Sequence, residues 1–270
     1  MSKKVAFIGS GVMAGAILKG ACRALDPTLF LVTDKFEEKA QALAEEVGAR
    51  AVPSNREAVE QADYIFLCVK PQVAAEVLEE LAPVLGGTSK VLCSILAGVT
   101  IESLRAGLRA PTHPVIRIMP NTSALIGKGQ MLLASDEQVS EQARGEVLEL
   151  LAPCGSALWL PEQFFDQGTA LSGSSPAFVY MFIEAMADAG VEAGLSRAQA
   201  IELSARAVYG AAAMVLETGS HPAVLKDMVC SPGGMTIAGV STLEDQGFRK
   251  AVINAIRATC LRSKELGKLS

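Results

Sequence analysis

The sequence predicts an α/β domain built on a mostly parallel, doubly wound sheet, followed by an all-α domain. Short apolar runs alternate with helical patterns through the first part of the chain, and a glycine-rich turn joins the first run to the first helix. Strand-like runs then stop after about Leu160. Strand–helix alternation is typical of parallel sheets covered by helices. At roughly 150 residues per domain, we predict one domain over residues 1–160 and another over residues 161–270.

The individual elements follow from apolar periodicity. Strands of the first domain are predicted at Val5–Ile8, Leu29–Val32, Tyr64–Val69, Lys90–Leu96 and Val115–Met119. Helices are predicted at Gly11–Leu25, Glu37–Val47, Val73–Leu85 and Ile101–Leu108. Near-continuous apolar runs indicate strands covered on both faces. In the second domain, Ser175-Pro176 indicates a helix start, and Ser196 with Gln199 indicates a capping box.

Composition and charge narrow the function classes. A net charge of −5 leaves no basic footprint for nucleic acid or an anionic membrane. The start of the chain, Met1-Ser2-Lys3-Lys4, leads into too short an apolar run for a signal peptide, and no run is long enough to span a membrane. The six cysteines show no CxxC spacing, which is typical of a reducing, cytoplasmic protein. With only two histidines, each before a proline, neither a metal site nor a serine–histidine relay is expected.

The glycine-rich turn carries the first functional signal. Gly9, Ser10, Gly11, Val12 and Met13, followed by Ala14, fit the pattern GxGxx(G/A) directly after a strand and at the start of a helix. Glycine allows a tight turn and lets the backbone approach a pyrophosphate, and the helix presents free N–H groups to it. The segment therefore predicts a dinucleotide-binding Rossmann domain, with an unliganded glycine turn as the alternative.

The ends of three further strands are expected to face the same cofactor. Thr33, Asp34 and Lys35 follow the second strand: an acid there usually binds ribose hydroxyls, whereas the lysine would attract a 2′-phosphate, so the choice between NAD and NADP stays open. The other candidates, at the ends of later strands, are Val69, Lys70, Pro71, Ile95, Leu96 and Ala97.

Two further segments offer polar groups for a substrate. Met119-Pro120-Asn121-Thr122 ends a strand with a helix-breaking proline and two polar side chains. Ser231, Gly233 and Gly234 lie in a glycine-containing turn between two predicted helices, and such a turn presents backbone N–H groups to an anion. The turn could hold a substrate carboxylate, or could be a helix–helix corner capped by serine.

The order of these motifs resembles pyrroline-5-carboxylate reductase. The resemblance rests on Gly9–Ala14, Val69–Pro71, Met119–Thr122, Leu171–Phe178 and Lys226–Thr236, and it covers nearly the whole chain. It implies reduction of 1-pyrroline-5-carboxylate to L-proline by NAD(P)H, the last step of proline biosynthesis. It also implies a helical second domain that binds substrate and forms homodimers or larger homo-oligomers.

The resemblance assigns roles to particular residues. It implies cofactor contacts for Asn55 and Asn121 and substrate contacts for Glu162, Gly233, Gly234, Met235 and Thr236. Val12 replaces a polar residue of the family pattern, Asp34 is unusual at its position, and Ser175 stands where the family often has glycine. The resemblance implies NADPH, the family's usual cofactor, and the departure at Asp34 leaves NADH possible.

The expected chemistry needs little from the protein besides orientation and charge, because a protonated imine accepts hydride readily. We predict that Thr236 hydrogen-bonds the ring nitrogen, that Ser231 orients the loop, and that no metal takes part. A reductase of another cyclic imine, a β-hydroxyacid dehydrogenase-like enzyme and a dinucleotide-binding sensor are the alternatives. The predicted helix Ser175–Ala193 contains no lysine, which counts against the dehydrogenase.

Overall fold

The computed structural model describes residues 3–267, with side chains up to Glu265. Met1 and Ser2, on which part of the signal-peptide expectation depends, lie outside this range. One eight-stranded sheet runs in the order β3-β2-β1-β4-β5-β6-β7-β8. Its strands are β1 Val5–Ile8, β2 Phe30–Thr33, β3 Arg50–Ala51, β4 Tyr64–Leu67, β5 Val91–Ser94, β6 Val115–Met119, β7 Gly129–Ala134 and β8 Gly155–Trp159.

The sheet confirms the doubly wound α/β class. All neighbouring strands are parallel except β6 and β7. The strand order reverses at β1, whose last residue Ile8 pairs with Thr33 on one side and Leu67 on the other. Ligands of open α/β sheets bind beyond the carboxyl ends of the strands at such a reversal. The predicted cofactor turn directly follows Ile8 and therefore lies at this point.

Helices cover both faces of the sheet. Up to the end of β8 they are α1 Val12–Ala21, α2 Glu37–Val47, α3 Asn55–Gln61, α4 Ala74–Leu85, α5 Ile101–Gly107 and α6 Glu141–Leu151. Two separate clusters of buried side chains result, one containing Phe7 and Phe66, whose rings stack at 4.8 Å, and the other containing Ile8 and Ile65. Neighbouring residues on a strand thus enter opposite clusters, which explains the continuous apolar runs.

Several boundaries differ from the prediction. Helix α1 ends at Ala21 rather than Leu25, because Arg23 and Ala24 bond to carbonyls three residues back in tighter turns. The short strand β3, helices α3 and α6, and strands β7 and β8 were not predicted individually. β8 alternates half-buried and exposed residues, and β7 begins with Gly129 and Gln130, so neither shows a continuous apolar run. No strand follows Trp159 in the described residues, as the change of pattern after Leu160 predicted.

The chain divides into two compact units. The first contains residues up to Gly173 together with residues from Thr259 onward, and the second contains Ser174–Ala258. The first unit also includes α7 Phe165–Thr169. The remaining helices, which form the second unit except for the last part of α12, are α8 Ser175–Glu192, α9 Arg197–Thr218, α10 Pro222–Met228, α11 Met235–Asp245 and α12 Phe248–Gly267.

Helices α8 and α9 form a close pair within the second unit. A Cβ on Gly190 of α8 would lie 3.0 Å from the Cβ of Ala200 on α9, so small residues bring the two backbones together. The turn between them ends in the predicted capping box, in which Ser196 and Gln199 satisfy each other's backbone amides. The all-helical second part of the chain is therefore confirmed.

Candidate functional site

The turn after β1 requires glycine at its first position. Gly9 has φ of 99°, and its amide donates to the carbonyl of Thr33 at 2.8 Å. A Cβ on Gly9 would lie 2.8 Å from the carbonyl oxygen of Cys68, which follows β4. Backbone atoms cannot move aside as a flexible side chain can. Gly9 therefore allows β1, β2 and β4 to converge at this edge of the sheet.

Gly11 has a different reason to be glycine. It is the N-cap of α1 with an extended backbone, φ −67° and ψ 174°, which any residue can adopt. A Cβ there would meet nothing within 4 Å. The absence of a side chain is thus not needed for folding, and it leaves room for a ligand to approach the backbone.

The start of α1 is suited to a phosphate. No side chain caps it, its first turn has no acidic residue, and Val12 is 76% exposed. Uncapped N–H groups and the positive end of the helix dipole together bind anions. The valine supplies no polar atom, so the interaction with a pyrophosphate would come from the backbone, with Met13 half-buried behind it.

Asp34 binds the glycine turn directly. Its Oδ2 accepts hydrogen bonds from the amide and hydroxyl of Ser10 at 2.7 and 2.8 Å, and its Oδ1 accepts from the amide of Phe36 at 3.0 Å. Partial burial opposes ionisation, but these hydrogen bonds outweigh it and lower the pKa of Asp34. A carboxylate therefore stands at the end of β2 at neutral pH, beside the buried Thr33 and the exposed Lys35.

The other predicted cofactor residues of the first unit follow strands that end at the same edge. Asn55 begins α3 and its side-chain amide donates to Glu80 at 2.9 Å. Val69 is half-buried, Lys70 is exposed, and Pro71 begins a 3-10 turn after β4. Because β1, β2, β3 and β4 are parallel, all of these segments lie at one end of the sheet, and their contacts with a cofactor remain predictions.

The segment between β5 and α5 is held at both ends. At the first end, the amide of Ile95 donates to the carbonyl of Leu67, and the amide of Leu96 donates to Ser94 Oγ. Leu96 is buried, whereas Ala97 is exposed. At the far end, Thr100 caps α5 through its side-chain oxygen. The exposed part is therefore a short, tethered loop.

Asn121 and Glu162 already have partners inside the protein. The Asn121 amide donates to the carbonyl of Ser172 at 2.9 Å, and its oxygen accepts from the amide of Gln130 at 3.2 Å. Glu162 Oε1 accepts from the amide of Ile101 and from Arg117, both at 2.8 Å. Direct ligand contacts for these two side chains remain predictions.

Arg117 was missed by the sequence reasoning. Its guanidinium group is nearly buried in β6, lies 4.3 Å from the centre of the Phe165 ring, and pairs with Glu162. The available signal was a charge within the apolar strand Val115–Met119, since a buried charge needs a partner.

The predicted substrate turn lies in the second unit. It connects α10 to α11: Gly233 has φ of 68°, and the amide of Gly234 donates to the carbonyl of Ser231 at 3.0 Å. A Cβ on Gly234 would lie 2.3 Å from Ser231 Oγ, so glycine lets the serine fold back over the turn. Met235 and Thr236 begin α11 and are exposed, with no side-chain cap on the helix.

The described residues contain neither a metal-binding group nor a membrane-spanning helix. No group of three His, Cys, Asp or Glu side chains within them is arranged to hold a metal ion. None of the helices in the same range is long and apolar enough to cross a membrane.

Comparison with known families accounts for most of the chain. A family model for pyrroline-5-carboxylate reductase dimerisation matches residues 162–266. A second model, described as NADP oxidoreductase, coenzyme F420-dependent, matches residues 4–98 and thus covers the glycine turn and the ends of β2, β4 and β5.

Several similar proteins are pyrroline-5-carboxylate reductases that align with this chain over nearly their whole length. The pyrroline-5-carboxylate reductase of Escherichia coli is 44% identical over 270 residues, covering 99% of this chain and 100% of the relative. That of Synechocystis is 42% identical over 271 residues, with the same coverage. A reductase structure from Coxiella burnetii matches with a TM-score of 0.92 at 32% identity, covering 98% of this chain and 99% of the other. A Plasmodium falciparum structure with NADP bound matches with a TM-score of 0.86 at 32% identity, covering 98% of each chain. The chain therefore belongs to the pyrroline-5-carboxylate reductase family.

Proposed function

We propose that this protein reduces 1-pyrroline-5-carboxylate to L-proline with NADPH, and accepts NADH, in the last step of proline biosynthesis. The observation that carries the proposal is the 44% identity to a reductase of that name over the whole of both chains. The aligned span includes the strand ends of the first unit that are proposed to bind the dinucleotide. It also includes the Ser231–Thr236 turn of the second unit, which is proposed to bind the substrate.

The first unit binds the dinucleotide in this proposal. The pyrophosphate is held by the uncapped amides that follow Gly11, and Asp34 and Lys35 face the adenosine ribose. Asn55 lies near the adenosine, and Asn121 supports the site through its hydrogen bonds to Ser172 and Gln130. The loop Ile95–Ala97 and the segment Val69–Pro71 line the nicotinamide, which when bound supplies the hydride.

The second unit binds the substrate in this proposal. The amides of Gly233, Met235 and Thr236 hold the carboxylate, since free N–H groups at a helix start favour an anion. Gly234 takes part by closing the turn, because its own amide donates to the Ser231 carbonyl. Ser231 maintains that turn through its contact with Gly234. The Thr236 hydroxyl hydrogen-bonds the ring nitrogen, which must carry a proton before hydride adds to the neighbouring carbon. The product amine retains that proton.

The exposed apolar surface of the second unit supports a homo-oligomer. Among its described residues only Ala187, Ala200 and Ser204 are buried, whereas Leu216 is 83% and Met181 67% exposed. Apolar surface of this extent marks an interaction face. We propose a homodimer or a larger homo-oligomer in the cytoplasm, with residues 161–270 as the substrate-binding and dimerisation domain. Sedimentation of the purified protein at the monomer mass would contradict this.

The test of the activity is direct. Purified protein is mixed with 1-pyrroline-5-carboxylate, and loss of reduced nicotinamide absorbance is followed with NADPH and NADH separately, with proline identified as the product. A protein that binds the dinucleotide but oxidises neither cofactor would be a sensor rather than this enzyme. Oxidation with other cyclic imines but not this one would reassign the substrate.

The role of Thr236 is tested by Thr236→Val, with Thr236→Ser as the matched control that keeps the hydroxyl. The hydroxyl oxygen of Thr236 accepts from the protonated ring nitrogen, and loss of one preorganised hydrogen-bonding group typically lowers kcat by about 100-fold. We expect that loss for valine and near-normal kcat for serine. Equal rates for all three proteins would remove Thr236 from the mechanism.

A further inference from the structure

Glu162 is committed to two groups that belong to different elements. Its Oε1 accepts from Arg117 Nη1 on β6 and from the amide of Ile101, the first residue of α5, both at 2.8 Å. The side chain of Arg117 is only 5% exposed, and Glu162 is the one carboxylate paired with it among the described residues. Removing the partner of a buried charge is costly, so this carboxylate is held firmly in place.

The Ile101 amide closes the loop that follows β5. Ser94 and Leu67 hold the beginning of that loop through the amides of Leu96 and Ile95. Glu162 and the Thr100 hydroxyl hold its end, at the first and third amides of α5. Between these tethers, Ala97 is exposed and Gly98 has φ of 76°. The position of the exposed loop therefore depends on Glu162 as well as on the sheet.

We propose that Glu162 is a positioning residue: it links the buried Arg117 to the start of α5 and so holds the Ile95–Ala97 loop against the nicotinamide ring. This rests on the proposed function only in the assignment of that loop to the nicotinamide. It is an alternative to direct contact between Glu162 and the substrate, since the two hydrogen bonds to Oε1 already give this carboxylate a role within the first unit.

The variants separate the tether from the ion pair. Glu162→Ala removes both hydrogen bonds and leaves Arg117 unpaired, which endangers folding. The double variant Arg117→Met with Glu162→Ala releases the same amide without a buried charge, and such replacements are often tolerated. Arg117→Met alone leaves Glu162 free to bind Ile101. Glu79→Gln breaks the exposed ion pair of Glu79 with Arg109 just beyond the end of α5 and is the matched control.

The first measurement is hydrogen exchange of the Ile101 amide in the unliganded protein. A hydrogen bond to a charged group protects by about ten-fold or more. We expect the double variant to exchange at least that much faster at Ile101, and Arg117→Met and Glu79→Gln to exchange as the native protein does. Unchanged exchange in the double variant would show that Glu162 does not hold this amide in solution.

The second measurement compares NADPH with 2′-phospho-ADP-ribose, which lacks only the nicotinamide ring, and NADH with ADP-ribose as a parallel pair. We expect the double variant to bind the complete dinucleotide about ten-fold more weakly, the equivalent of one charge-assisted hydrogen bond, and the shorter nucleotide normally. Equal weakening of both, or no weakening, would overturn the proposal. Because these arms use no imine, an inactive protein would refute the proposed reaction without affecting this result.

The steady-state constants separate the two roles of Glu162. Positioning of the nicotinamide loop predicts a raised KM for the dinucleotide and a lowered kcat in the double variant, with the KM for 1-pyrroline-5-carboxylate unchanged. A raised KM for the imine alone would mean that Glu162 binds substrate directly, and would overturn the positioning role.

Discussion

Alanine at the two glycines of the cofactor turn, Gly9 and Gly11, is predicted to have different effects: the first substitution lowers stability, and the second lowers affinity for the dinucleotide with little effect on stability. At Gly9, the backbone has φ of 99° and a Cβ would lie 2.8 Å from the Cys68 carbonyl oxygen. At Gly11, the backbone is in a region open to alanine and the Cβ would meet nothing within 4 Å. The folded protein therefore has a steric reason for the first glycine and none for the second.

The magnitudes follow from this geometry. Gly9→Ala costs about 1–3 kcal/mol in backbone strain alone, and each kcal/mol lowers the Tm of a protein of this size by roughly 2–4 °C. Gly11→Ala changes stability by no more than about 1 kcal/mol, because alanine restricts the unfolded chain but is disfavoured relative to glycine at the N-cap of a helix. The same methyl group keeps a phosphate from the amides that follow, and losing one hydrogen bond to a charged group weakens binding roughly 10- to 100-fold.

Thermal unfolding and fluorescence titration with NADPH measure the two quantities independently. Gly9→Ala should lose stability, and its affinity should fall as the turn is displaced. Gly11→Ala should unfold within roughly 4 °C of the native protein yet bind NADPH at least ten-fold more weakly. Native affinity in Gly11→Ala would refute the assignment of the phosphate site to the start of α1, whatever the activity of the protein.

Three further predictions rest on single residues. Asp34→Ser removes an ionised carboxylate from the end of β2. Because the acid disfavours a 2′-phosphate, we expect the ratio of kcat/KM with NADPH to kcat/KM with NADH to rise by about ten-fold or more. An unchanged ratio would show that Asp34 only stabilises the glycine turn. His113 is buried with both ring nitrogens unpaired, and burial together with the charge of Arg105 lowers its pKa from 6.5 to about 4. The unfolded chain therefore binds more protons between pH 6.5 and 4, so stability falls as the pH drops through that window; urea titrations should show a shallower fall for His113→Phe, and an equal slope would contradict the assignment. Gly20→Ala would place a Cβ 2.3 Å from the buried sulfur of Cys154, and we expect about 1–3 kcal/mol of destabilisation by overpacking, measured by urea unfolding; an unchanged midpoint would show that Cys154 moves aside freely.

The strongest sequence patterns predicted their elements closely. Glu37–Val47 and Val115–Met119 have the predicted bounds, because an amphipathic helix shows a clear 3.6-residue period and a strand buried on both faces shows a nearly continuous apolar run. β3, with two residues, and β8, with its alternating exposure, show too little pattern for prediction. These elements depend on pairing with β2 and β7, and pairing is not visible in the segment itself.

The candidate site divides in the same way. The spacing of Gly9 and Gly11 predicted the cofactor turn. The structure shows that Gly9 is needed for folding, whereas Gly11 leaves space for a ligand. The hydrogen bonds of Asp34 to Ser10 join residues 24 positions apart, and the pair of Arg117 with Glu162 joins residues 45 positions apart. Such pairs leave no periodic trace in the sequence, so the commitment of both carboxylates to internal partners could not be predicted from it.

The sequence by itself determined the fold class, the place of the cofactor turn and the family, because these depend on local periodicity and on motifs within short segments. Tertiary structure decided which side chains near the cofactor turn are free to contact a ligand and which are already bonded within the protein. Convergence of β1, β2 and β4 requires Gly9, and burial of Arg117 commits Glu162 to the start of α5. The physical reason is that a buried charge or a crowded carbonyl acquires its partner only when distant segments meet.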